Sequence, residues 1–109
     1  MPRLCRKIHK KIMKIPVRFN LGSHTVTVQA NVPLKEAWGE WNNERKAIRL
    51  RKPSKNNPDS FYYQTFVHEL VHAVLDTMGR EELSRDESFV DGLSEMLTQV
   101  ILTAEYPDG

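Results

Sequence analysis

Five consecutive residues, His68-Glu69-Leu70-Val71-His72, have the side-chain types and spacing that zinc-dependent hydrolysis requires. The chain has four histidines, and two of them stand here at i and i+4. On a helix of 3.6 residues per turn these positions lie one above the other. Each imidazole can then give one nitrogen to a single tetrahedral ion at about 2.0–2.1 Å. Glu69 stands about 100° round the helix from His68, too far round for a ligand but well placed to contact a water held on the metal. Zinc lowers the pKa of such a water to about 7, and a neighbouring carboxylate takes its proton as it attacks a polarised carbonyl. The expectation is hydrolysis at one zinc ion, with His68 and His72 as ligands and Glu69 as base.

The spacing has this meaning only on a helix, and the flanking residues predict one. Pro58-Asp59-Ser60 offers a break and a choice of N-caps, and Gly79 offers a C-terminal stop. Between them Tyr63, Val67, Leu70, Val71, Val74, Leu75 and Met78 recur at helical spacing as a wide apolar face. His68 and His72 run along one edge of that face as a polar seam.

Two histidines leave an ion half-bound. Asp76 lies one turn further along, but a straight helix carries it about 6 Å beyond His72. The extended H-E-x-x-H-x-x-G-x-x-H pattern is excluded, because Leu75 and Met78 occupy its glycine and third-histidine positions. The third ligand is therefore expected from an acid on the next helix. Ser84 is a good N-cap for that helix, and Phe89, Val90, Leu93, Leu97, Val100, Ile101 and Ala104 trace its apolar stripe. Glu87 stands about 60° from Val90, Asp91 about 100° and Glu95 about 140°, so Glu87 borders the buried face best. Asp86, in the first turn, suits the helix dipole. Ser84-x-x-Glu87 is also a capping box, in which the carboxylate would satisfy only a backbone N–H. The ion's need for a third ligand favours the metal role. Asp91 or Asp76 is expected to orient a ligand histidine through its other ring nitrogen.

With Glu87-Ser88-Phe89-Val90-Asp91-Gly92-Leu93-Ser94-Glu95-Met96-Leu97 added to the motif, residues 61–104 resemble small gluzincin-type zinc metallopeptidases, above all ImmA/IrrE-like and related phage-borne domains. The resemblance implies a zinc peptidase in which Glu87, leading the second helix, is the third ligand. It also implies an edge strand beside the metal helix that holds substrate. Asp91 stands where that family has Asn, and only 14 residues separate His72 from Glu87.

Upstream, Ile15-Pro-Val-Arg-Phe19 and His24-Thr-Val-Thr-Val-Gln-Ala30 alternate as half-buried strands do, with Asn20-Leu21-Gly22-Ser23 as the turn between them. A second hairpin is expected from Trp38 to Trp41, through Asn42-Asn43-Glu44, to residues 46–51. The predicted fold is α+β: a small antiparallel sheet of about four strands followed by two helices, a minimal zincin-like core. Residues 13–109 form its single domain, and residues 1–12 are a basic leader outside it. The strand nearest the helix, with Ile48, Arg49, Leu50 and Arg51, is expected to be the substrate edge, where the two arginines would favour acidic substrates. Trp38 and Trp41 are read as hairpin packing, and Tyr62, Tyr63 and Tyr106 as candidate oxyanion donors.

Composition bounds the setting. The 109 residues suffice for one modest core. The lone Cys5 has no internal disulfide partner, and no run approaches the 18 apolar residues of a membrane span. The expected location is cytoplasmic and the expected partner a protein or peptide substrate. Charge is uneven: residues 1–60 carry 14 Lys/Arg against 4 Asp/Glu, whereas residues 61–109 carry 2 against 10. Arg49, Arg51, Lys52 and Lys55, with Arg6, Lys7, Lys10 and Lys11, invite a nucleic-acid reading. No nucleic-acid motif accompanies them, and solvated strand faces account for them more simply. Two alternatives stay open: a zinc protease anchored on DNA through the basic half, and a non-catalytic zinc-binding interaction module.

Overall fold

The computed structural model describes residues 14–52 and 59–107; the leader 1–12, Pro58, and the basic residues Arg6, Lys7, Lys10, Lys11 and Lys55 lie outside them. The fold is α+β, a four-stranded sheet followed by helices. Strand β1 (Arg18–Leu21) pairs antiparallel with β2 (His24–Val32), Arg18 opposite Thr27 and Leu21 opposite His24. Gly22 supplies the positive φ, +61°, that the connecting turn needs. Val26 and Val28 point into the core while Thr25, Thr27 and Gln29 remain exposed, the period of two expected of a sheet covered on one face.

The order of strands differs from the expectation. Strand β3 (Gly39–Asn42) and β4 (Ala47–Arg51) do form the predicted antiparallel pair. Yet the sheet runs β1-β2-β4-β3, and β2 pairs with β4 in parallel, Val28 opposite Ile48. The segment between β2 and β3 carries the chain past the centre to the outer position, and the hairpin brings β4 back into the gap. The sheet is mixed, and β4 is central. Ile48, Arg49, Leu50 and Arg51 therefore cannot serve as a substrate edge, because both sides of their backbone are already paired. Ala47, Ile48 and Leu50 are buried, as a strand enclosed on both sides requires. The outer strand on this side is β3.

Helix α1 (Asp59–Thr77) packs on β3 and β4 and contributes Tyr63, Phe66, Val67, Val71 and Leu75 to the core. It ends at Gly79 (φ +77°), where the Arg80 N–H bonds the Leu75 carbonyl at 2.8 Å and the Gly79 N–H bonds that of Asp76 at 3.1 Å. That is the Schellman closure the glycine predicted. A single-turn helix, α2 (Glu81–Ser84), follows where the sequence suggested only a cap, so the described residues from 59 onward hold three helices and not two. Helix α3 (Glu87–Thr103) then packs on α1.

Helix α3 is turned relative to its apolar stripe. Its buried line is Val90, Ser94 and Thr98, with Leu93, Ile101 and Leu102 partly covered. Phe89, Leu97 and Val100 are exposed, as is Met96, with Met96 at 61% and Val100 at 63%. Glu87, Asp91, Ser94 and Thr98 follow one another at steps of three and four and so share a face. Directing that face at α1 brings the carboxylates to the histidines and swings part of the stripe outward.

Candidate metal centre

Helix α1 places His68 and His72 on one face with ring centroids 5.1 Å apart. The carboxylate of Glu87 reaches both: its Oε2 lies 3.4 Å from His68 Nε2 and its Oε1 3.2 Å from His72 Nε2. One donor atom from each of the three residues falls within 4.8 Å of the others. The opposite ring nitrogens are also engaged. His68 Nδ1 is 3.1 Å from Asp91 Oδ1, and His72 Nδ1 is 2.9 Å from Ser84 Oγ. With protons on Nδ1 donated to Asp91 and Ser84, both Nε2 lone pairs face Glu87, the tautomer a metal ligand needs. Two imidazoles and a carboxylate are a donor set suited to zinc with a fourth position open, so the residues present fit the ion.

The sequence-predicted residues divide clearly. His68, His72 and Glu87 come together, and Asp91 takes the supporting position on His68. Asp76 does not: its Oδ2 accepts the indole N–H of Trp41 at 2.8 Å. The capping-box alternative for Glu87 is absent, because the N-cap of α3 is Asp86, whose Oδ1 accepts the Phe89 N–H at 3.1 Å. Ser84 instead sits buried at the end of α2 and supports His72. Sequence reasoning missed that role, since a serine ahead of a helix reads as a cap. Replacing Asp91 with Asn, which weakens the acceptor but preserves its shape, is expected to lower zinc affinity by about 10–100-fold. A competition titration against a chromophoric chelator measures this, and an unchanged affinity would leave Asp91 without a role at the metal.

Glu69 is buried on the flank of α1 that faces β3, and its carboxyl is pushed up from 4.5 to about 7. Desolvation is the main cause, followed by the nearby negative charges of Glu87 and Glu40. Because its proton is held more tightly in the folded chain, Glu69 favours folding fully below pH 4.5. That contribution, of about 3 kcal/mol, is lost as pH rises through 7. In the presence of a chelator, the stability of the Glu69→Gln variant relative to the parent should therefore grow between pH 5 and pH 8. Urea unfolding at both pH values measures the difference, and a constant one would show that burial does not hold this proton.

A cleft of about 380 Å³ opens beside Glu69. Ala37, Trp38 and Gly39 wall it on one side, and Phe61, Gln64, Thr65, His68 and Glu69 on the other. Trp38 thus lines the cleft, its ring edge-on to Phe61 at 5.2 Å, whereas it was expected to pack only within its hairpin. No tyrosine is among the lining residues, which removes Tyr62, Tyr63 and Tyr106 from the cleft wall. Gly39 is tightly packed where it is: a Cβ there would lie 3.0 Å from Thr65 Cγ2 and 3.2 Å from Glu69 Cγ, so these side chains would have to give way slightly. The Arg51 N–H donates to the Trp38 carbonyl at 2.8 Å, and Gly39 and Trp41 stand opposite Leu50 and Ile48. By the alternation of an antiparallel ladder, Gly39 and Trp41 turn their own N–H and C=O groups away from β4. Among the described residues no strand pairs with that outer side.

The basic residues of β4 have partners within the fold. Arg49 pairs with Glu40 at 2.8 Å, and the Arg51 guanidinium lies 4.5 Å from the centre of the Trp38 ring. Among the described residues no helix is long and apolar enough to cross a membrane. No family model, curated protein or solved structure matches the chain.

Proposed function

We propose that the chain is a zinc-dependent peptidase of the gluzincin type, acting on a protein or peptide in the cytoplasm. The observation that carries this reading is the convergence of Glu87 on two imidazoles whose other nitrogens are already held, with the buried Glu69 in the adjoining cleft. His68, His72 and Glu87 would hold the ion. When bound, zinc supplies Lewis acidity that polarises a carbonyl and makes water a nucleophile near neutral pH.

The chain's own residues supply the rest. Glu69 lies in a desolvated wall with an affinity for protons close to neutrality, which suits it to take a proton from the attacking water and return it to the leaving amine. Asp91 and Ser84 fix the two histidine rings. The outward N–H and C=O groups of Gly39 and Trp41 offer an extended peptide a strand to pair with, and the aromatic wall of Trp38 and Phe61 suits an apolar side chain. The lone cysteine fits a reducing compartment.

Metal analysis combined with proteome-wide mapping of new chain termini tests the reading. Equimolar zinc in both the parent and Glu69→Gln, with cleavage only by the parent, is the expected result. Chains free of zinc would remove the metal centre, and identical cleavage by both proteins would assign the hydrolysis elsewhere.

A further inference from the structure

Strand β3 is only four residues long and, among the described residues, has a neighbour in the sheet on one side alone. Two contacts tie it to α1. At its start Gly39 approaches Thr65 and Glu69 so closely that an added Cβ would press on both. Near its end the Trp41 indole N–H donates to Asp76 Oδ2 at 2.8 Å, joining residues 35 apart in sequence. Asp76 follows His68 and His72 at steps of four, so the hydrogen bond engages the same row of α1 that carries the two imidazoles. It holds a partly buried tryptophan by its one polar atom, at the edge of a cavity of about 260 Å³ lined also by Asn43, Glu81 and Ser84.

The geometry points to Trp41–Asp76 as a positioning clasp that fixes where β3 lies along α1, and hence where a peptide added to β3 presents its carbonyl to Glu69. The inference rests on the peptidase reading for the peptide but not for the clasp. Gly39 prevents β3 from moving closer to α1, yet a contact between non-bonded surfaces does not stop it from sliding or lifting. A directional hydrogen bond does. Trp41 projects from the same strand face as Gly39, while Glu40, between them, is drawn to Arg49 on the opposite face. The bond is therefore the polar tie between β3 and the metal helix among the described residues.

Three variants of the full chain test it. Trp41→Phe keeps most of the ring and deletes the donor, Asp76→Ala deletes the acceptor, and Asp76→Asn retains an acceptor oxygen. Hydrogen exchange of the backbone amides of Glu40 and Asn42, the two that face β4, should accelerate about 10-fold or more in the first two variants and stay near the parent rate in Asp76→Asn. Fluorescein-labelled casein, an unfolded protein, serves as the binding probe, with Glu69→Gln added to each variant to prevent cleavage. Its apparent Kd should rise about 10-fold in the first two variants, while zinc affinity stays within twofold of the parent in all three. Unchanged exchange in both deletion variants overturns the clasp. Accelerated exchange with casein bound equally well, or not bound even by the parent, leaves the clasp standing and overturns the substrate role of β3.

Discussion

The Glu69→Gln protein is expected to keep its zinc and lose about 10²–10⁴-fold in kcat for peptide cleavage, the range that a positioned general base contributes. Glutamine preserves the shape of the side chain and most of its contacts, so the close packing of Glu69 Cγ against Gly39 is retained. What it removes is the capacity to take up a proton. Burial, with the charges of Glu87 and Glu40 behind it, raises the proton affinity of this carboxylate in the metal-free chain above the ordinary carboxylate range. Because Glu69 is not a ligand, zinc content should not change. Steady-state kinetics on the zinc-loaded parent and variant, at matched metal content, measure the ratio; an equal kcat would eliminate Glu69 as the base.

His72→Ala should have the larger effect on the metal. The imidazole is one of three donors, and its loss leaves His68 and Glu87 as a bidentate remnant. The expected decrease in zinc affinity exceeds the 10–100-fold attached to a supporting partner, and activity should fall to background at micromolar zinc. His72 also gives Ser84 its partner, so the variant leaves a buried hydroxyl without one, at a cost of about 1–3 kcal/mol. Circular dichroism and urea unfolding separate that cost from loss of the metal. A folded His72→Ala protein that binds zinc as tightly as the parent would show that these side chains do not form the site.

Local pattern made part of this molecule readable in advance. The i and i+4 spacing of His68 and His72 fixes their shared face once the helix is granted, and Gly79 marks that helix's end by a conformation other residues avoid. Glu87 was legible because it borders an apolar stripe. What escaped prediction was set by distant partners. Residues 46–51 have the alternation of any hairpin strand, and nothing local distinguishes a second strand that closes the sheet from one that inserts at its centre. Asp76 belongs to Trp41 across 35 residues, and Ser84 to His72 across a one-turn helix too short to leave a periodic signal. The stripe on α3 misled for a different reason: the small residues Ser94 and Thr98, and not the larger apolar ones, lie on its buried line beside Val90.

The rotation of α3 leaves large apolar side chains in contact with water. A helix turned to cover its whole stripe would bury Phe89, Leu97 and Val100 as well as Val90. Helix α3 instead buries Ser94 and Thr98, and among the described residues the Thr98 hydroxyl finds no partner. Its outer surface keeps a row of methionine, leucine, valine and phenylalanine with little charge among them. The proposed metal site and an exposed apolar row thus share one helix. Substitutions that make the protein easier to produce belong on the outer row, at Met96 and Val100, where they leave the small inner residues and the carboxylates undisturbed.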